Sequence, residues 1–235
     1  MFTKAKLGMI VLLFFLNAMS LSAYSASMSI SGTSNPWLAG MPDGTETPYG
    51  DHAPENSPVL VSGISIIPHE VLRFSATGSV SNTDIGIGFE NPDGGGIQRH
   101  TSNSDTAENG IADVTAPLSS LVGVFLNASA PDQTSAPTVL DFTTLASRDF
   151  LQFAPELKQI FFIGDGFTSI GDLQTFIVPD GATRLYLGVM DGPGFFNNAG
   201  EFLVNVSVVP EPSIYALMGA GLAVLGLVFM RRRQV

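Results

Sequence analysis

Two stretches near the C-terminal end decide the fold class: Arg184-Leu185-Tyr186-Leu187-Gly188-Val189, and then Glu201-Phe202-Leu203-Val204-Asn205-Val206-Ser207-Val208-Val209. In the first, Leu185, Leu187 and Val189 alternate with Arg184, Tyr186 and Gly188. In the second, Phe202, Val204, Val206 and Val208 alternate with Leu203, Asn205 and Ser207. A strand turns successive side chains to opposite faces, so a period of two marks strands with one face buried and one open. Upstream, further β-branched or aromatic runs are expected as strands: Val59 to Ile67, ending at Pro68, then Val71 to Thr77, Leu118 to Leu126, Lys158 to Ile163 and Leu173 to Val178. About eight strands over 59–209, with no long amphipathic helix and no fixed repeat, predict an all-β domain built as an antiparallel β-sandwich or jelly roll.

Other segments are less regular. Residues 26–58 read as an irregular lead-in broken by Pro36, Pro42, Pro48, Pro54 and Pro58. Trp37, the only tryptophan, is expected to pack on the edge of the domain. Asn82 to Thr115 reads as one long polar loop.

Charge is unevenly placed. Lys4 and Lys6 open the chain and Arg231, Arg232 and Arg233 close it, leaving five basic residues against 21 acidic ones between them, a formal −16. A body so acidic repels nucleic acid and anionic lipid. The absence of cysteine excludes disulfides, thiolate metal sites and cysteine nucleophiles.

The two ends read as targeting segments. Lys4 and Lys6, the apolar run Leu7 to Leu16 and the small residues around Ala23-Tyr24-Ser25 predict a signal peptide over 1–25, for the Sec export machinery. Val209-Pro210-Glu211-Pro212 is followed by an uncharged run, Ser213 to Met230, which as a helix spans roughly 27 Å at about 1.5 Å per residue. Arg231-Arg232-Arg233 then holds the cytoplasmic side, placing the body outside the inner membrane.

The ordered combination of Pro210-Glu211-Pro212, a short glycine-containing helix and a basic cluster, over 210–235, resembles the PEP-CTERM sorting tail. The resemblance implies recognition by an exosortase, a membrane cysteine protease, with cleavage near the tripeptide. It also implies a transient inner-membrane anchor, then release to the cell envelope or extracellular matrix of a bacterium that makes exopolysaccharide.

Between the two decisive strands runs Asp191-Gly192-Pro193-Gly194-Phe195-Phe196-Asn197-Asn198-Ala199-Gly200. Asp191, Asn197 and Asn198 carry short oxygen ligands on a loop that Gly and Pro force to curl. Backbone carbonyls near Phe195 extend that set, and hard cations such as Ca²⁺ take six to eight oxygens. A hairpin loop whose Asn and Asp cap their own backbone accounts for the same residues.

The stretch from Arg184 to Val208 also resembles the end of the calcium-dependent galactose-binding bacterial lectins of the PA-I type. That family implies a galactose-binding-domain-like jelly roll. It implies calcium held by Asp191, Asn197 and Asn198, with galactose hydroxyls on the ion and Asp191 and Asn198 at the sugar. Pro68 to Asn82 resembles the lectin strand that supplies a backbone carbonyl ligand, here at or near Asn82. The loop departs from the lectin pattern by one residue, and Gln98 and His100 stand in the reverse order to the lectin's sugar contacts.

Gly164-Asp165-Gly166 is expected as a tight turn with glycine at positive φ. No enzyme is predicted. His52, His69 and His100 share no metal spacing, no Gly-x-Ser-x-Gly elbow occurs, and Gly94-Gly95-Gly96 lacks the Lys-Ser/Thr of a phosphate loop. The expected function is an exported envelope or matrix module that binds carbohydrate, an exopolysaccharide or galactose-like sugar, through calcium. The alternative is a structural or adhesive matrix protein with no small-ligand site.

Overall fold

The computed structural model describes residues 25–83, 87–100, 107–209 and 219–226. Residues 1–24 of the expected signal peptide and the sorting tripeptide lie outside these residues, while Ser25, its expected last residue, opens the first strand. Of the expected span 213–230, residues 219–226 are described and are helical. Among the described residues no helix is long and apolar enough to cross a membrane.

The strands are β1 (Ser25–Ser31), β2 (Val59–Leu60), β3 (Val71–Ser81), β4 (Ile97–Arg99), β5 (Val114–Pro117) and β6 (Leu121–Leu126). They continue with β7 (Leu140–Asp141), β8 (Gln152–Phe153), β9 (Ile160–Phe162), β10 (Thr175–Ile177), β11 (Arg184–Val189) and β12 (Ala199–Val209). They form a five-stranded sheet in the order β1-β12-β3-β10-β8, a four-stranded sheet β2-β11-β6-β9 and a three-stranded sheet β4-β5-β7. Pairing is antiparallel except at β8–β10 and β5–β7, which are parallel. The expectation of a purely antiparallel fold is corrected at those two short edge pairings.

The alternation in β12 is realised as read. Phe202, Val204 and Val206 are buried, while Glu201 and Leu203 are exposed. Leu185, Leu187 and Val189 of β11 are buried in the same way. The two larger sheets meet through aromatic side chains. Phe176 of β10 packs edge-on against Phe74 of β3, with centroids 5.0 Å apart, and lies 5.5 Å from Phe161 of β9 in the other sheet. Phe161 in turn stacks on Phe125 of β6 at 5.2 Å. Such large apolar rings contribute more to the core than any polar contact here.

Several boundaries differ from the sequence reading. Ser25–Ser31 is a strand that pairs along β12, from Ser25 with Ser207 to Ser31 with Glu201. Its alternating Ala26, Met28 and Ile30 point inward, a period too short to stand out beside the prolines that follow. Val59 to Ile67 is strand only at Val59–Leu60, and after the Val61 N–H donates to the Leu185 carbonyl the chain leaves β11. The long polar stretch contains β4 and the start of β5. The lead-in is irregular but packed. Pro36–Leu38 forms a 3-10 turn capped by the Asn35 side chain, and all three of its residues are buried. Trp37 is completely buried, and its indole N–H donates to the Ala112 carbonyl.

Register positions the site. β3 and β12 pair from Val71 with Val209 to Ser81 with Ala199, and β11 pairs with β6 up to Val189 with Leu121. Gly32, Asn82 and Asn198 therefore each lie one residue beyond an end of the adjoining strands β1, β3 and β12, and Asp191 lies two residues beyond the end of β11 in the other sheet. Gly200, at φ 85°, is needed here, since a Cβ would fall 2.3 Å from the Ser79 carbonyl oxygen.

A candidate cation site at the last loop

Asp191 and Asn198 are both buried, at 6% and 8% exposure. Asp191 follows β11 directly through Met190, and its Oδ1 accepts the Gly192 N–H at 2.6 Å. The loop turns through Gly194 in the left-handed region and a 3-10 turn, Phe195–Asn197, closed when the Asn198 N–H donates to the Phe195 carbonyl at 3.0 Å. The Asn198 amide donates through Nδ2 to the Gly32 carbonyl at 3.0 Å, which ties the loop to the end of β1. That bond fixes which way the amide points. Its Oδ1 is left buried with no hydrogen-bond partner.

Burial pushes the Asp191 carboxyl above its ordinary value, and the negative charge of Asp51 adds to the rise. Hydrogen bonds from Asn198 and from the Gly192 N–H, and the charge of His100, act in the opposite direction. A buried acceptor with no donor, and a buried carboxylate of the same loop that is costly to charge, are each relieved by a bound cation within reach.

The structure brings together Asp191, Asn198 and the Phe195 carbonyl, with Asn197 half-buried on the same turn. Asn82 follows Ser81, whose partner in β12 is Ala199, so it stands across from the loop. The Phe195 ring itself is fully buried, so only its backbone oxygen is a candidate ligand. Among the described residues no three His, Asp or Glu side chains gather as a metal cluster. A cation here would rest on amide and carbonyl oxygens as much as on carboxylates, a donor set that fits a hard ion such as calcium.

Gln98 and His100, out of order in the sequence, both reach this loop. The His100 Nδ1 lies 3.2 Å from the carbonyl oxygens of Asp191 and Gly192, while its Nε2 faces Glu108 Oε2 at 3.3 Å. At 2% exposure the imidazole supports the loop from beneath. Gln98 is half-buried, and its amide is the nearest group to Gly192, 3.4 Å from where a Cβ would stand.

Sequence reasoning missed Asp51, Asn35 and Phe196. Asp51 is 1% exposed and accepts the Phe196 N–H at 2.8 Å through Oδ1 and the Asn35 Nδ2 at 3.1 Å through Oδ2. No local pattern marks a contact across 145 residues. Phe196 is 57% exposed, a large ring on an otherwise polar rim.

Gly164 and Gly166 take φ values of 62° and 91°, as the expected tight turn requires. Asp165, Asp93, Asp149 and Phe167 line a cavity of about 340 Å³ that shares no lining residue with the 191–200 loop.

Comparison with solved structures finds similarity to a chain described as the EclA N-terminal domain, a PllA-like lectin. The identity is 15% over 78% of this chain and 95% of that one, with a TM-score of 0.35. No curated protein matches. Residues 208–233 match the PEP-CTERM protein-sorting motif, and so the chain carries a PEP-CTERM sorting motif at Pro210-Glu211-Pro212 and the residues that follow, through Arg231, Arg232 and Arg233.

Proposed function

We propose that this is an exported protein, sorted and processed by an exosortase, whose β domain works in the cell envelope or extracellular matrix as a calcium-dependent carbohydrate-binding module. The sorting motif at 208–233 supports export and exosortase-dependent sorting. The binding half of the reading is carried by one observation, the buried Oδ1 of Asn198 that has no hydrogen-bond partner, on the residue whose amide N–H reaches the buried carboxyl of Asp191.

In this reading Asp191, Asn197, Asn198 and the carbonyls of Phe195 and Asn82 hold the ion. Calcium would supply a charge centre on which paired sugar hydroxyls can displace water. Asp191 and Asn198 would orient those hydroxyls, Gln98 offers an amide beside Gly192, and the exposed Phe196 ring offers an apolar face to the sugar's C–H groups. His100 holds the two carbonyls at the mouth of the loop in place.

Calcium chloride should raise the melting temperature of the protein, and Asp191→Ala should abolish the rise. No rise in the wild type sinks the cation reading. A glycan array with and without calcium separates a binder from a structural matrix protein. Calcium stabilisation with no glycan retained assigns the ion a structural role only.

A further inference from the structure

Asp51 sits in the segment between β1 and β2. The turn around it is held by the Asp51 N–H donating to Thr47 Oγ1 at 3.1 Å and the Thr47 N–H donating to the Asp51 carbonyl at 2.9 Å. Its carboxylate bridges two parts of the protein. One oxygen takes the Phe196 N–H inside the candidate cation loop, and the other takes Asn35, whose own Oδ1 caps the Trp37 turn. Asp51 is buried, and no Lys or Arg forms an ion pair with it or with Asp191 among the described residues.

The charges around the loop do not balance. Asp51, Asp191 and Glu108 bring three carboxylates, all buried or nearly so. Arg99, the nearby guanidinium on β4, is taken by Asp113 at 2.9 Å. Among the described residues His100 is the one basic side chain that faces the group, with its two ring nitrogens against Glu108 and the loop carbonyls. It cancels at most one of the three charges, so among the described residues these carboxylates are short of about two positive charges. The Asn198 amide N–H reaches Asp191, and the other end of the same amide, Oδ1, is buried with no hydrogen-bond partner.

We propose that Asp51 is the second carboxylate of the cation seat, that it sets the seat's charge for a divalent rather than a monovalent ion, and that the loaded seat locks the 47–56 segment onto the 191–198 loop. This rests on the cation reading of that loop given above. Asp51 reaches the seat from a segment whose only long-range sequence signal is a run of prolines.

Calorimetric titration of calcium into the protein purified from an expressing bacterium tests this, wild type against Asp51→Asn. Asn keeps the size and one acceptor for the Phe196 N–H. The dissociation constant for calcium should rise at least about tenfold, because charge count tunes such sites. The variant also gives up the acceptor for Asn35 Nδ2, so a small fall of the melting temperature in chelator is expected, and a larger one in calcium. Unchanged calcium affinity in the variant, with the wild type binding, overturns this proposal and leaves the loop reading intact. An equal loss of melting temperature with and without calcium also overturns it, since a purely structural contact behaves that way. A wild type that binds no calcium overturns both.

If the variant does not fold, the wild type carries the test alone. A glutamate-specific protease can cut after Glu46 and Glu55, both exposed. Calcium should slow that cutting, and potassium at equal ionic strength should not. Cutting that ignores calcium overturns the proposal.

Discussion

The indole of Trp37 lies flat on the imidazole of His100, with ring centroids 3.5 Å apart and planes 11° apart. The same imidazole supports the carbonyls of Asp191 and Gly192, and the Phe195 ring lies 6.1 Å from the indole. The protein's single tryptophan is therefore one side chain away from the candidate cation loop. Its emission should be blue-shifted, since the ring is fully buried. Calcium should change its intensity in the wild type and leave it constant in Asp191→Ala. Emission that stays flat in the wild type while calcium binds would show that the loop does not move against His100.

Gly200 opens β12 at the point where Asn82 and Asn198 face each other across the strand ends. A methyl group there meets the Ser79 carbonyl and the Phe89 ring, at a positive φ. Gly200→Ala should cost at least about 2 kcal/mol in urea unfolding. Because the strain falls at the loop, calcium affinity should drop with it. A silent substitution would mean that the β3–β12 register is not what places the loop.

Asp165 gives a pH-dependent prediction away from the loop. Burial raises its carboxyl above the ordinary carboxylate value, and neighbouring Asp93 adds to the rise, while the Phe167 N–H donated to it opposes both. The folded form then binds more protons than the unfolded chain between the two values, so this group's contribution worsens as pH rises through that window. Asp165→Asn stays neutral and keeps an acceptor for Phe167. Its melting temperature should match the wild type near about pH 3.5 and exceed it increasingly toward about pH 6. A gap that is constant with pH would assign the effect to packing.

The sorting motif predicts the mature C-terminus. Mass spectrometry of the protein recovered from the producing cell should find a chain ending near Pro210-Glu211-Pro212, with Arg231–Arg233 removed. An intact Val235 would reduce the segment to an uncleaved anchor.

Local chemistry makes parts of the molecule legible along the chain itself. The alternation in β11 and β12 names the inward residues Leu185, Leu187, Val189, Phe202, Val204 and Val206, because strand geometry turns successive side chains to opposite faces, while Gly188 on the other face is covered as well. Gly164 and Gly166 announce a turn for the same local reason. The Pro-Glu-Pro tripeptide, apolar run and arginines also form a contiguous signal, and the motif match covers those residues. The loop from Asp191 to Gly200 advertises oxygen ligands through composition alone.

Only the tertiary structure decided what surrounds that loop. β1 is hidden in the sequence because seven residues of Ser, Ala, Met and Ile become a strand through pairing with β12, not through propensity. Asp51 joins the loop through a single hydrogen bond to Phe196, and Gln98 and His100 arrive from β4 and the residue after it. A cation seat is a sum of oxygens from distant segments. The oxygen-bearing residue types of the loop can be read along the chain, but which groups gather around them is decided only where the strands end together.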